Sequence, residues 1–118
     1  MRPGARTPEE LETLFEDAFV VRDCAAVAAL FEEGAVLVMS GVRGEVRGDE
    51  EIARTATAMW SADRTYLAAP QRVLQARDTA LIVAPNGVNV VRRAGDGTWR
   101  YAIALLALDD DHVREEQR

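Results

Sequence analysis

The chain contains no lysine, and all fourteen of its basic residues are arginine. Schiff-base chemistry and a lysine general base are thereby excluded. Cysteine occurs once, at Cys24, which rules out an internal disulfide and a multi-thiolate metal site. Histidine also occurs once, at His112, too few for a histidine-based triad or a three-histidine zinc site within one chain. No run approaches the roughly 18 apolar residues of a membrane-spanning helix. Residues 1–6 have no apolar core behind their arginines, so no signal peptide is expected and the cytoplasm is the expected compartment. Positive charge is scarce as well. With a net charge of −6 and a pI near 4.8, neither nucleic acid nor an anionic membrane is an expected partner.

What is present suits one domain over residues 1–118, with 1–6 as a loose leader and 109–118 as a loose acidic tail. Of the 118 residues, 48% are hydrophobic, and a chain this long buries roughly two thirds of its unfolded surface. The most legible stretch is 75–109. Arg77-Asp78-Thr79, Pro85-Asn86-Gly87 and Gly95-Asp96-Gly97 are turn signals between apolar or alternating runs. They predict an antiparallel meander of four strands over 71–76, 80–84, 88–93 and 98–108.

Ahead of it, Thr7-Pro8-Glu9-Glu10 reads as a helix start with a capping box. Leu11, Leu14, Phe15, Ala18, Phe19 and Val21 then give one apolar face. Asp23 reads as the N-cap of a short second helix over 24–31, stopped by Gly34. Residues 35–39 form a strand, and 40–47 a loop or hairpin. Asp49-Glu50-Glu51 opens a third helix with Ile52, Ala56, Met59 and Trp60 inward. Helices followed by strands make an α+β pattern.

The run from Ala29-Leu30-Phe31 to Ala35-Val36, followed by Val46-Arg47-Gly48 and Ile52, resembles the nuclear transport factor 2-like superfamily. Asp23 and Gly97-Thr98-Trp99-Arg100-Tyr101 fit the same resemblance. That superfamily includes ketosteroid isomerase and the SnoaL-like polyketide cyclases. The resemblance implies a cone, in which a strongly bent antiparallel sheet wraps three N-terminal helices and leaves a pocket between them. It also implies where chemistry would sit, and here the chain departs. The isomerase's general base falls on Met39, its helix tyrosine on Phe15 and its second oxyanion acid near Asn89. An Asp common on the last strand is replaced by Ala104. A thioether takes no proton and a phenyl ring donates none, so the steroid-isomerase mechanism is not expected.

The expected ligand-binding set is Phe15, Phe19, Met39, Met59, Trp60, Asn89, Ala102 and Ala104. Asn89 is its only polar survivor, suited to polarising a ligand carbonyl. The competing assignment for Asn89 is a turn-proximal residue bonding local backbone; for Phe15, Phe19, Met39, Met59 and Trp60 it is plain core, which is favoured for Phe19 and Met59. No metal and no cofactor are expected.

The last strand reads as apolar on both faces, which calls for cover on both. Trp99, Tyr101, Ile103 and Leu105 are expected outside, against a second copy in a homodimer. Ala102 and Ala104 are expected to face the pocket. Two function classes follow. One is a binding protein or enzyme of the isomerase and cyclase type, acting on a small apolar molecule such as a polyketide or terpenoid. The other is a non-catalytic dimeric scaffold or regulatory domain with a filled pocket.

Overall fold

The structure, a computed structural model, describes residues 4–39, 44–61, 71–85 and 87–106; the side chains of residues 59–61 lie outside that description. The described residues form three helices, α1 (Pro8–Val21), α2 (Cys24–Ala29) and α3 (Asp49–Ser61), the third following the first two strands in the chain. Six strands make one open sheet: β1 (Phe31–Met39), β2 (Glu45–Arg47), β3 (Arg72–Ala76), β4 (Thr79–Ala84), β5 (Gly87–Arg93) and β6 (Trp99–Leu106), in spatial order β2-β1-β6-β5-β4-β3. Among the described residues no helix is long and apolar enough to cross a membrane.

Local chemistry sets these elements. Thr7 Oγ1 accepts from the Glu10 amide at 3.0 Å and Pro8 occupies the first helical turn, so α1 begins where its orphan donors are met. The Glu10 carboxylate accepts from the Arg6 amide at 2.7 Å, one residue earlier than in an ordinary capping box. Arg22 ends α1 in the left-handed region (φ 58°). Asp23 at once caps α2, its carboxylate accepting from the Ala26 amide at 3.1 Å. Helix α2 is shorter than expected. Leu30 closes it and Phe31 already pairs with Tyr101, so Gly34 lies within β1 and stops no helix.

Strands β3 to β6 form the expected meander. Gly87 matters to it, because a Cβ there would stand 2.0 Å from the Leu105 carbonyl oxygen. The sheet is not wholly antiparallel, since β1 runs parallel to β6.

One irregularity decides which side chains face inward. Val90 pairs with Ile103 but Val91 pairs with Tyr101, so β6 carries one extra residue, Ala102. Such a bulge interrupts the two-residue alternation of a strand. Trp99 and Tyr101 are therefore 2% and 1% exposed, packed in the core, whereas Ile103 and Leu105 are 43% and 44% exposed. The face expected to lie wholly outside is divided: its first half is interior and its second half is surface.

Candidate functional site

Helix α1 repeats every 3.6 residues, so Pro8, Glu12, Phe15 and Phe19 share one side of it. All four are buried. Phe15 touches Phe19, Phe31 and Tyr101 with ring centroids 5.5–5.8 Å apart, which seats this side of the helix on β1 and β6. Glu12 is thereby carried into an apolar interior, fully buried. Two side chains meet its Oε2 there. The Tyr101 hydroxyl donates at 2.6 Å and Asn89 Nδ2 donates at 3.0 Å.

A buried carboxylate requires such donors, because stripping it of water without them is costly. The same carboxylate fixes the Asn89 amide. Its nitrogen faces the acceptor, so its oxygen points the other way. Asn89 Oδ1 is buried and has no hydrogen-bond partner among the described residues. An unmet buried acceptor costs about 1–3 kcal/mol. Chemically, the cluster offers one carboxylate, one phenol hydroxyl and one open amide acceptor in apolar surroundings.

Glu12 was not among the expected site residues. Its signal is in the sequence, at the position one turn before Phe15 on the same stripe as Phe19, where an acidic residue is out of place. Tyr101 was expected on the surface, and the Ala102 bulge brings it to the cluster. Asn89 lies inward as expected, directly across the ladder from Ala104, which is 1% exposed. Phe15, Phe19 and Met39 are core residues, and Ala102 is buried at the bulge. The side chains of Met59 and Trp60 lie outside the described residues.

A cavity of about 580 Å³ opens elsewhere, where the N-terminal segment, the α1–α2 elbow and the start of β6 meet. Ala5, Leu14, Ala18, Ala26, Leu30 and Trp99 give it an apolar floor, and Arg6, Asp17, Asp23, Asp96 and Arg100 stand around them. None of the expected ligand-binding residues whose side chains are described lines it.

Other polar features have structural partners. Arg92 forms a two-pronged ion pair with Glu32 (3.0 and 2.7 Å), and Glu32 raises its pKa further. Arg93 pairs with Asp78 and lies 5.4 Å over the Trp99 ring. The Cys24 thiol donates to the Ala53 carbonyl at 3.5 Å, between α2 and α3. Asp96 accepts from both the hydroxyl and the amide of Thr98, and the hydroxyl chiefly holds its pKa below the ordinary value. Among the described residues no group of His, Cys, Asp and Glu could hold a metal ion. The acidic tail with His112 lies outside them.

No family's sequence profile matches the chain, and no curated protein matches it. Solved structures do. A ketosteroid isomerase-like protein from Erwinia carotovora atroseptica SCRI1043 is 20% identical with a TM-score of 0.72, over 86% of this chain and 93% of that one. A protein of unknown function with a cystatin-like fold from Nostoc punctiforme PCC 73102 is 18% identical with a TM-score of 0.70, over 86% and 88%. A nuclear transport factor 2-like protein with a cystatin-like fold from Novosphingobium aromaticivorans is 18% identical with a TM-score of 0.67, over 93% and 86%. At these identities the likeness speaks for architecture and leaves activity open. The chain has the α+β fold of the nuclear transport factor 2-like and ketosteroid isomerase-like proteins.

Proposed function

We propose that this chain is a small-molecule-binding protein whose interior holds a largely apolar ligand with one hydroxyl or N–H group at Asn89. The observation that carries this is the open Asn89 Oδ1 beside the Glu12–Tyr101 pair. A ligand donor there would meet an acceptor that the fold leaves unmet, and Ala104 opposite takes up little room. The expected partner of Asn89 changes accordingly. Its amide nitrogen is bonded to Glu12, so it suits a ligand hydroxyl better than a ligand carbonyl. Apolar small molecules such as hydroxylated polyketides or terpenoids fit this description. Glu12 is a buried carboxylate at a different position from Met39, and a buried carboxylate beside a phenol is a group that can exchange protons with a bound hydroxyl.

Mass spectrometry of the native protein tests the proposal. An apolar molecule bearing a hydroxyl or N–H should co-purify with the wild type and be lost from Asn89→Leu. A protein that carries nothing, or one whose Asn89→Leu variant retains the molecule unchanged, would refute it.

Homodimerisation is a second part of the reading, favoured by a different observation. Two rows of apolar side chains run across the outer face. Leu74, Leu81, Val90, Ile103 and Val36 form one, and Val83, Val88, Leu105 and Val38 the other. On β2 both end at the Glu45–Arg47 ion pair; on β3 the second ends at Arg72 and the first at Leu74 itself. A contiguous apolar surface with a charged rim suits a protein partner, and a second copy would cover it with the same surface. Ile103 and Leu105 belong to that interface; Trp99 and Tyr101, being interior, do not.

A further inference from the structure

The cavity of about 580 Å³ at the α1–α2 elbow is separate from the polar cluster, and neither Glu12, Asn89 nor Tyr101 lines it. With 3.6 residues per turn, Leu14, Asp17, Ala18 and Val21 fall on the side of α1 opposite to Glu12, Phe15 and Phe19. One helix therefore stands between two spaces. The volume lies within the range of small-molecule sites, about 300–1,000 Å³.

The charges around this cavity can be sorted by whether they are already used. Asp96 is held by Thr98 and pairs with Arg100 at 3.6 Å. Asp23 caps α2. Arg6 and Asp17 remain. Both line the cavity, both are exposed, and their charged groups have no ion-pair or hydrogen-bond partner among the described residues, including each other. Among the described residues the site thus presents one cation and one anion without a partner, around the apolar surface of Leu14, Leu30 and Trp99.

From this we propose a second ligand site, specific for a small zwitterion with an apolar body: a free apolar amino acid or a short apolar peptide. The ammonium would lie at Asp17, the carboxylate at Arg6, and the apolar side chain over Leu14, Leu30 and Trp99. A purely apolar molecule leaves both charges unused, and a molecule with a single charge leaves one. Exposed ion pairs contribute little, roughly 0–1 kcal/mol each. Discrimination should therefore rest on both charges together.

Titration of ¹⁵N-labelled protein, followed through the Trp99 indole and the Ala26 and Leu30 amides, tests the proposal. The probes are L-phenylalanine, L-phenylalanyl-L-phenylalanine, phenethylamine and 3-phenylpropanoate. Saturable shifts are expected with a zwitterion, and binding about fivefold weaker with the amine or the acid alone. The tighter of the two zwitterions identifies amino acid or peptide as the source. Asp17→Asn should abolish the preference for phenylalanine over 3-phenylpropanoate, and Arg6→Gln the preference over phenethylamine. Both positions are exposed, so folding should survive. Ala29→Phe, also at an exposed lining position, should block binding by filling the space. Asn89→Leu should leave these shifts unchanged, which keeps this test independent of the interior site. Absence of saturable shifts, equal affinity for all probes, preferences that survive both charge substitutions, or loss of the shifts in Asn89→Leu would each overturn the proposal.

Discussion

The two faces of the sheet depart from ordinary sorting in opposite directions. Inside, Asn89 and Tyr101 meet a fully buried Glu12 among aromatic rings. Outside, Val38, Ile103 and Leu105 stay 37–44% exposed within two continuous apolar rows. Each arrangement lowers the stability of an isolated chain. Polar groups inside require paired donors and acceptors, and apolar groups outside forgo burial worth about 25 cal/mol per Å². The bulge at Ala102 joins the two, because without the extra residue Tyr101 would lie on the same face as Ile103. The difference teaches where each face departs from ordinary sorting: the inner one in an amide acceptor with no partner among the described residues, the outer one in apolar rows left partly exposed; the proposed ligand and the proposed second copy each address one of these departures.

The largest effect should come from truncating an inner ring. Phe15→Ala removes contacts to Phe19, Phe31 and Tyr101 and should cost about 3–5 kcal/mol in denaturant unfolding. Leu105→Ala on the outer face, measured in dilute solution, should cost well under half of that. Equal losses that stay independent of protein concentration would erase the distinction between the faces.

A smaller effect isolates the polar cluster from its packing. Tyr101→Phe keeps the ring but takes a donor from Glu12, and should cost about 1–3 kcal/mol. Combining it with Glu12→Leu should cost less than the two single changes summed, since no carboxylate then remains to be satisfied. Strict additivity would mean that the hydroxyl and carboxylate do not interact. On the outer face, Ile103→Asp should convert a dimer to a monomer in sedimentation experiments while shifting dilute-solution stability by no more than about 0.5 kcal/mol. A wild type that is monomeric at all concentrations would remove the second copy from the reading.

These contrasts also mark what the chain's residues disclose before folding. The meander was legible because Arg77-Asp78, Asn86-Gly87 and Gly95-Asp96-Gly97 punctuate apolar runs, and turn chemistry is local. Asp23 and Thr7 were legible as caps for the same reason. Asn89 was placed toward the pocket by the family resemblance, and alternation set it beside Val91 on the face opposite Val88 and Val90; no bulge separates it from the turn at Gly87, and it is buried. Trp99 and Tyr101 were misplaced because the extra residue at Ala102 arises from pairing with β5 and β1, and no residue type announces it. Glu12 was overlooked for another reason. Periodicity puts it on the Phe15–Phe19 side, but a single acidic residue there stands out only once its partners, 77 and 89 positions away, are brought beside it.

The smallest effect concerns the turn that feeds β6 and so sets where its inner half begins. The Thr98 hydroxyl, then the Thr98 amide, hold the Asp96 carboxyl below its ordinary value of 3.8. A carboxyl depressed in the folded state stabilises the fold at pH values above its unfolded pKa. That contribution is lost as pH falls through the lower folded value. The window is therefore acidic, below about pH 4, and the contribution is fully present at pH 7. Asp96 is entirely exposed, so screening keeps the contribution slight. Asp96→Ala should lower the melting temperature marginally at pH 7, and the gap to wild type should close as the pH is taken below the ordinary carboxylate range. A gap that stays constant from pH 7 to pH 2 would show that the residue acts through turn geometry rather than charge. The hairpin's hold on Trp99 would then be indifferent to protonation, and the division of the two faces would rest on the Ala102 bulge alone.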